Sequence, residues 1–372
     1  MNGRISCLVI IIVFSAFYCA RAAEPGSSAN SPYRPELVVA LPAFGNTPDG
    51  MCLDKQTGDI ILASPNFNDP TYPGVLFRIN KKDRASLYFV MPMHPETKYG
   101  CPMGMSIGPD GHIYVADNQY FYDKNYKSRL MRVVRQNGRP IRAEVVVEGF
   151  KLSNAVAWKG NDVYVSDTFF DIPDKPGMSG VFRISFDEMK DNVVQLEPGL
   201  DDPHLIATFT TDVDNPREDP AGADGITFDS QGNLYVGNFG DGVIFKITFD
   251  QDGAVASNRV LISDPKYSCC DGMFCDTETD LIYFADSEKN AVHVFNPEGE
   301  IWTLWQNGPT DGSDGLLDQP CEVLLRGDRL YVACFDMPFP GLLNQEFDKW
   351  HTVSAIDLGP REERKGVKET DK

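Results

Sequence analysis

Six short segments of the chain open on residues spaced as if to meet at a common centre: Asp49, Met103, Asn154, Asp224, Asp271 and Cys321, at intervals of 47 to 70 residues. Three carboxylates and one carboxamide among six equivalent places make an all-oxygen donor set. Such a set suits a hard divalent cation, Ca²⁺ above all, better than Zn²⁺, which favours nitrogen and sulfur. Without a counter-charge, carboxylates held face to face out of water cost on the order of several kcal/mol each. A single copy is equally explained by an aspartate accepting from a nearby backbone N–H in a turn. That explanation does not account for oxygen donors in four copies of six. The expected metal ligands are therefore Asp49, Asn154, Asp224 and Asp271. Asp224 and Asp271 are also the candidate catalytic carboxylates, able to take a proton from water or to attack directly.

The elements that bring these residues together are legible in the same segments. Each reads as a brief apolar strand, a tight turn, and a second strand ending in a small or polar residue: DGMCLDKQTGDIILAS from Asp49, MGMSIGPDGHIYVAD from Met103, NAVAWKGNDVYVSD from Asn154, DGITFDSQGNLYVGN from Asp224, DGMFCDTETDLIYFAD from Asp271 and CEVLLRGDRLYVAC from Cys321. Glycine and asparagine in the turns supply the positive φ that hairpins need. Two further strand-like stretches follow the clearest copies, GVIFKITF and NRVLIS after Asn238, and AVHVFN and IWTLWQ after Asp286. Four strands per repeat of about 50 residues is the arithmetic of a propeller blade. The chain is thus expected to be all-β, a six-bladed β-propeller over 35–359. The last copy is one strand short and PELVVAL (35–41) is one too many, so ring closure by pairing the N-terminal strand into the last blade is expected. Closure also removes exposed sheet edges.

In such a ring the first strand of each blade lines the central channel, and the residue opening each copy stands at its rim. The connections from second to third strand share that face. Four of them are long and aromatic, which predicts a partly walled, largely apolar cavity for a small molecule. Met103, Phe67, Tyr120, Phe170 and Phe339 are the expected substrate contacts. His94, on the crossover 91–102, is the single histidine placed to face the site, as a proton shuttle or a loop residue. The pattern G-x-S-x-G occurs once, as Gly104–Gly108, but inside a strand-and-turn repeat and not at a strand-to-helix elbow; no H-E-x-x-H motif or glycine-rich phosphate loop occurs.

Two stretches resemble the SMP-30/gluconolactonase family, which includes regucalcin, and more distantly diisopropylfluorophosphatase and the paraoxonases. They are Ser153–Trp158 with Val165–Thr168, similar to S-N-G-L-x-W…D-T, and Ala223–Asp229 with Gly232–Val236, similar to D-G-x-x-x-D-x-x-G-N-L-W-V. The resemblance implies a six-bladed propeller hydrolysing lactones, esters or organophosphates with a divalent metal, usually Ca²⁺, and makes Asn154 and Asp224 metal ligands. The chain departs from the pattern in carrying Asp49 where the family has Glu, and Met103 where an oxygen ligand is common. Asp271 offers a compensating ligand. The aromatic, Met-bearing wall argues for a substrate less polar than a sugar lactone.

Composition bounds the partners. The 372 residues carry 34 Lys and Arg against 54 Asp and Glu, a net charge of −20. A field of that sign disfavours nucleic acid and anionic membrane surfaces. Arg4, the apolar run Cys7–Tyr18 and Ala20-Arg21-Ala22 read as a signal peptide over 1–22, cleaved near Ala22, giving a secreted or periplasmic chain with no membrane span. Residues 23–34 are expected to be loose and 360–372 to be a charged, disordered tail. Seven cysteines remain after residue 22, an odd number, so at least one thiol stays unpaired within the chain; Cys269-Cys270 is read as packing plus one bridge. No N-glycosylation sequon is present. The functional expectation is a calcium-dependent hydrolase of lactones or esters. The alternative is a non-enzymatic ligand- or partner-binding propeller with a structural calcium.

Overall fold

The computed structural model describes residues 31–212, 220–339 and 342–364. They form six antiparallel blades. In chain order the innermost strands are Met51–Asp54, Pro102–Ile107, Ser153–Lys159, Ala223–Phe228, Met273–Asp276 and Pro320–Arg326. The sixth blade runs from Pro320–Arg326 through Arg329–Cys334 and His351–Asp357 to Glu36–Leu41. The N-terminal strand therefore closes the ring as expected, Glu36 facing Ala355 and Leu41 facing His351.

The burial pattern explains why these sequences become blades. Second strands such as Ile113–Asp117 and Leu281–Asp286 are buried at every position, because both faces of the sheet pack against neighbouring blades. Outer strands such as Ala85–Val90 are mostly exposed or half-buried. The buried apolar side chains fall into six clusters, one in each cleft between adjacent blades, for example Tyr164, Val181, Val236 and Ile247 between the third and fourth. Inner hairpins turn at Gly111 and Gly232, with φ of 76° and 79°, where an L side chain would be strained.

The recurrent glycine after the rim residue has a steric cause. A Cβ on Gly104 would stand 2.5 Å from the Asn154 carbonyl oxygen, and one on Gly225 would stand 2.2 Å from that of Asp271. Backbones of adjacent blades touch at the axis at these two positions, so there only glycine fits. The residue ending each second strand anchors the adjoining loops. Asp117 accepts from the Cys101 N–H at 2.7 Å, and Asp167 accepts from the N–H groups of Lys151 and Leu152 at 2.9 and 2.7 Å.

Four features depart from the expected organisation. Blade two gains a fifth strand, Val194–Gln195, paired parallel to Arg139–Phe150. The expected tail begins instead with a helical turn, Arg361–Arg364, where buried Arg364 donates to Asp328 at 2.6 Å and to the Gly359 carbonyl at 2.9 Å. Tyr33, in the segment expected to be loose, packs against the cluster between blades five and six. All seven described cysteines are buried and none is in a disulfide, so the expected bridge at Cys269-Cys270 is absent. The predicted signal peptide, 23–30 and 365–372 lie outside the described residues. Among the described residues no helix is long and apolar enough to cross a membrane.

Candidate metal centre and cavity

The inner hairpins share one register. Ala223 faces Asn238 and Ile226 faces Val236, with Asp224 and Gly225 bulged between. Pro102 to Met105 and Ser153 to Val156 repeat the irregularity. That bulge aims the rim residue out of the ladder and toward the axis. Asp49, Met103, Asn154, Asp224 and Asp271 accordingly line a single cavity of about 240 Å³. Cys321 holds the same register position but does not join the lining. Its thiol is spent on the Pro48 and Ala333 carbonyls, at 3.2 and 3.4 Å.

Neighbouring groups orient the ring side chains. Asn154 donates from Nδ2 to Thr168 Oγ1 at 3.4 Å, and Thr168 donates onward to the Ala223 carbonyl at 2.9 Å. With its amide nitrogen so engaged, Asn154 has Oδ1 left for the cavity. Asp271 is held by the Gly272 N–H at 3.0 Å and the Ser287 hydroxyl at 2.9 Å. Asp49 keeps a half-buried edge at the rim but is otherwise enclosed by protein. Loss of hydration pushes its carboxyl up to about 7, against a smaller stabilisation of the anion by the Gly50 N–H.

Glu322 belongs to this electrostatic centre, although its type and position did not mark it out in the sequence. It occupies the place that glycine holds in four other blades, and its Oε1 reaches within 2.5 Å of where a Cβ on Gly272 would lie. Burial, followed by the nearby Asp49 and Asp271, drives its carboxyl well above the ordinary range. Carboxylates thus crowd the axis, and for Asp49 and Glu322 the loss of solvent outweighs the hydrogen bonds the fold provides. A bound divalent cation would remove that cost, so the residues present fit the expected oxygen-ligand site.

A second tier of lining residues comes from the position just after each second strand: Asn118, Thr168, Phe239 and Phe335. The repeat pattern contained this signal in register, one residue beyond each copy. Asn118 is fully buried; its Oδ1 accepts the Tyr120 N–H at 2.9 Å, while Nδ2 has no hydrogen-bond partner. Tyr120 stacks on Phe169 with ring centres 4.6 Å apart, and Phe335 lies parallel to Phe339 at 6.4 Å. Of the expected substrate contacts, Met103, Tyr120 and Phe339 line the cavity.

Phe67, Phe170 and His94 do not. Phe67 stands behind the wall, edge-on to Phe121 at 4.9 Å and to Phe335 at 6.1 Å. Phe170 turns into the core against Phe182, whereas its neighbour Phe169 faces the cavity. Adjacent residues in an extended chain point to opposite sides, and sequence alone did not set which faced in. His94 is buried and caps its own loop, Nδ1 accepting from the Glu96 and Thr97 N–H groups at 3.1 and 3.3 Å. Burial, then the Arg129 charge, lowers its basicity.

The opposite mouth of the channel is wider, about 630 Å³, and differs chemically. There Asp54 and Arg135 neutralise each other at 2.9 Å. Glu322 lines this mouth, whereas Asp49, Asp224 and Asp271 line the first.

No family model matches the chain, and no curated protein matches it in sequence. Among solved structures it is similar to a gluconolactonase, XC5397 from Xanthomonas campestris, at 13% identity and a TM-score of 0.54, covering 91% of this chain and 98% of the other. It is similar to the calcium-binding protein regucalcin from Agrobacterium tumefaciens at 12% identity and 0.54, covering 88% and 94%. It is also similar to the PQQ-bound aldose sugar dehydrogenase of Streptomyces coelicolor at 13% and 0.52, covering 86% and 96%. At these identities the likeness is one of fold, and a single fold carries unlike chemistries. The chain is an all-β, six-bladed propeller of the architecture seen in gluconolactonase and regucalcin.

Proposed function

We propose that this protein hydrolyses lactones or esters with apolar acyl or leaving groups, using a divalent cation, of the calcium class, held by Asp49, Asn154, Asp224 and Asp271. The observation that carries the reading is the convergence of these four residues on one cavity whose other walls are largely aromatic. When bound, the cation would polarise a carbonyl and offset negative charge developing on its oxygen. Asp224 or Asp271 takes the proton from the attacking water. Asn118 Nδ2, buried and without a partner, is a ready donor to the carbonyl oxygen. Tyr120, Phe169, Phe335 and Phe339 exclude water and accept the apolar part of the substrate. They offer few partners for the hydroxyls of a sugar acid, each of which costs about 1–3 kcal/mol if buried unpaired.

The test is direct: purified protein is assayed on a panel of alkyl lactones, gluconolactone and aryl esters, with and without chelator. Chelator-sensitive turnover with kcat/KM higher for alkyl lactones than for gluconolactone is expected. A ratio well below one would remove the aromatic residues from the substrate wall. The second reading, a ligand-binding propeller with a structural cation, is favoured by a lining that holds no histidine among the described residues; binding without turnover across the panel would establish it. We further propose export after cleavage near Ala22, to be checked by the intact mass of secreted protein.

A further inference from the structure

A second group of acids lies in the sixth blade, outside the ring. Asp318 sits on the crossover into the blade, Asp336 just after the second strand, and Asp348 just before the third. One carboxylate oxygen from each lies within 4.8 Å of the others. Such a cluster alone says little, since acids gather on many surfaces. This one is interior: Asp318 is 0% exposed and Asp336 2%. Apart from the side chain of Asp348, itself an acid, neither Asp318 oxygen has a hydrogen-bond partner. A buried carboxylate with neither donor nor cation is among the costliest arrangements in a fold.

The surroundings point the same way. Burial first, and then the negative charges of Asp336, Asp348 and Asp311, push the Asp318 carboxyl up to about 9. Asp348 is raised by burial and then by Asp336, Asp311 and Glu346. His351 Nδ1 lies 3.4 Å from Asp336 Oδ2 and carries charge only when protonated. Asp336 is aimed by the Asp348 N–H, 3.2 and 3.1 Å from its two oxygens. A buried hydroxyl, Thr352 Oγ1, has no partner but the Cys334 thiol. It lies 2.9 Å from where a Cβ on Gly312 would be, a point itself 3.3 Å from Asp318 Cβ.

We propose that Asp318, Asp336 and Asp348 form a second site for a hard divalent cation of the calcium class, distinct from the ring, that fixes the sixth-blade wall of the cavity. Three carboxylates supply up to six oxygens, and the Thr352 hydroxyl or water completes the six to eight that calcium takes. The effect on the cavity follows from chain neighbours. Gln319 and Phe335, each next to one of the ligands, line the cavity, and the Phe335 N–H donates to the Gln319 carbonyl at 2.9 Å. The cation would tie the crossover to the aromatic connection directly behind that wall.

Calorimetric titration of the full chain with calcium chloride, after chelator treatment and dialysis, tests the assignment. The wild type is expected to bind two ions, Asp224→Ala to keep one, and Asp318→Asn to keep the other. Asp348→Asn, at a half-buried and more tolerant position, is expected to weaken the second site at least tenfold and decides the matter if Asp318→Asn does not fold. If Asp348→Asn titrates like the wild type, the proposal fails. Two ions retained by Asp224→Ala would defeat the ring assignment while leaving this one standing. Melts in the Asp224→Ala background add a structural readout. Asp318→Asn should raise the melting temperature in chelator and abolish the rise given by calcium. An equal rise in both buffers would show a proton-sharing acid pair and overturn the proposal.

Discussion

Single side chains divide sharply into those that face the cavity and those that only hold it. Asp224 supplies a charge to the ring, so Asp224→Ala should weaken calcium binding there at least tenfold, a loss in the range seen when a supporting group of a metal site is removed. Asn118→Ala removes a donor that has no structural partner on Nδ2. It should lower kcat by about 10²-fold, the order found for losing an oxyanion donor, with little change in KM. An equal rise in KM would instead make Asn118 a ground-state binding residue. Phe170 and Phe339 give the contrasting pair. Phe170→Ala empties a core position and should cost about 3–5 kcal/mol in denaturant unfolding, whereas Phe339→Ala should leave stability nearly unchanged and shift substrate preference.

At the level of elements, the inner hairpins carry the constraint that matters most. The bulge that projects each rim residue is followed by a place where the next blade's backbone passes in contact. Gly225→Ala would put a methyl 2.2 Å from the Asp271 carbonyl oxygen. Overpacking of this kind costs about 1–3 kcal/mol, and here the displaced backbone bears a ring ligand. The variant should therefore lose calcium affinity as well as melting temperature, a coupling that a core substitution such as Phe170→Ala would not produce.

For the whole molecule, the balance of charge sets how stability responds to pH. Burial raises Asp49 and Asp167 from 3.8 to about 7. An acid with a raised folded pKa binds its proton more tightly in the native state. Its contribution is fully present below about 3.8 and is lost as pH climbs through about 7. In chelator, the melting temperature should fall between pH 5 and pH 8. Calcium should flatten that fall, because a cation on the ring favours ionised Asp49 and stabilises only the native state. A chelated protein whose stability rises over this interval would show that these carboxylates are ionised without help from a cation.

What the sequence determined by itself was the repeat. The D-G pairs, the apolar runs and the surplus N-terminal strand specify six blades and their closure, because blade geometry is local and reappears at each copy. The rim residues were legible for the same reason, and four of the six carry oxygen. Tertiary structure decided the rest. Whether Phe169 or Phe170 faces inward depends on how one loop enters its blade. His94 resembles a site residue until its loop folds back to use its nitrogen. Glu322 is an ordinary strand glutamate in sequence and becomes part of the acidic axis only when the ring places it beside Asp49 and Asp271. Asp318, Asp336 and Asp348 are separated by up to 30 residues of unremarkable chain. Their meeting is a property of the closed blade, since Coulomb energy depends on distances in space that no local pattern encodes.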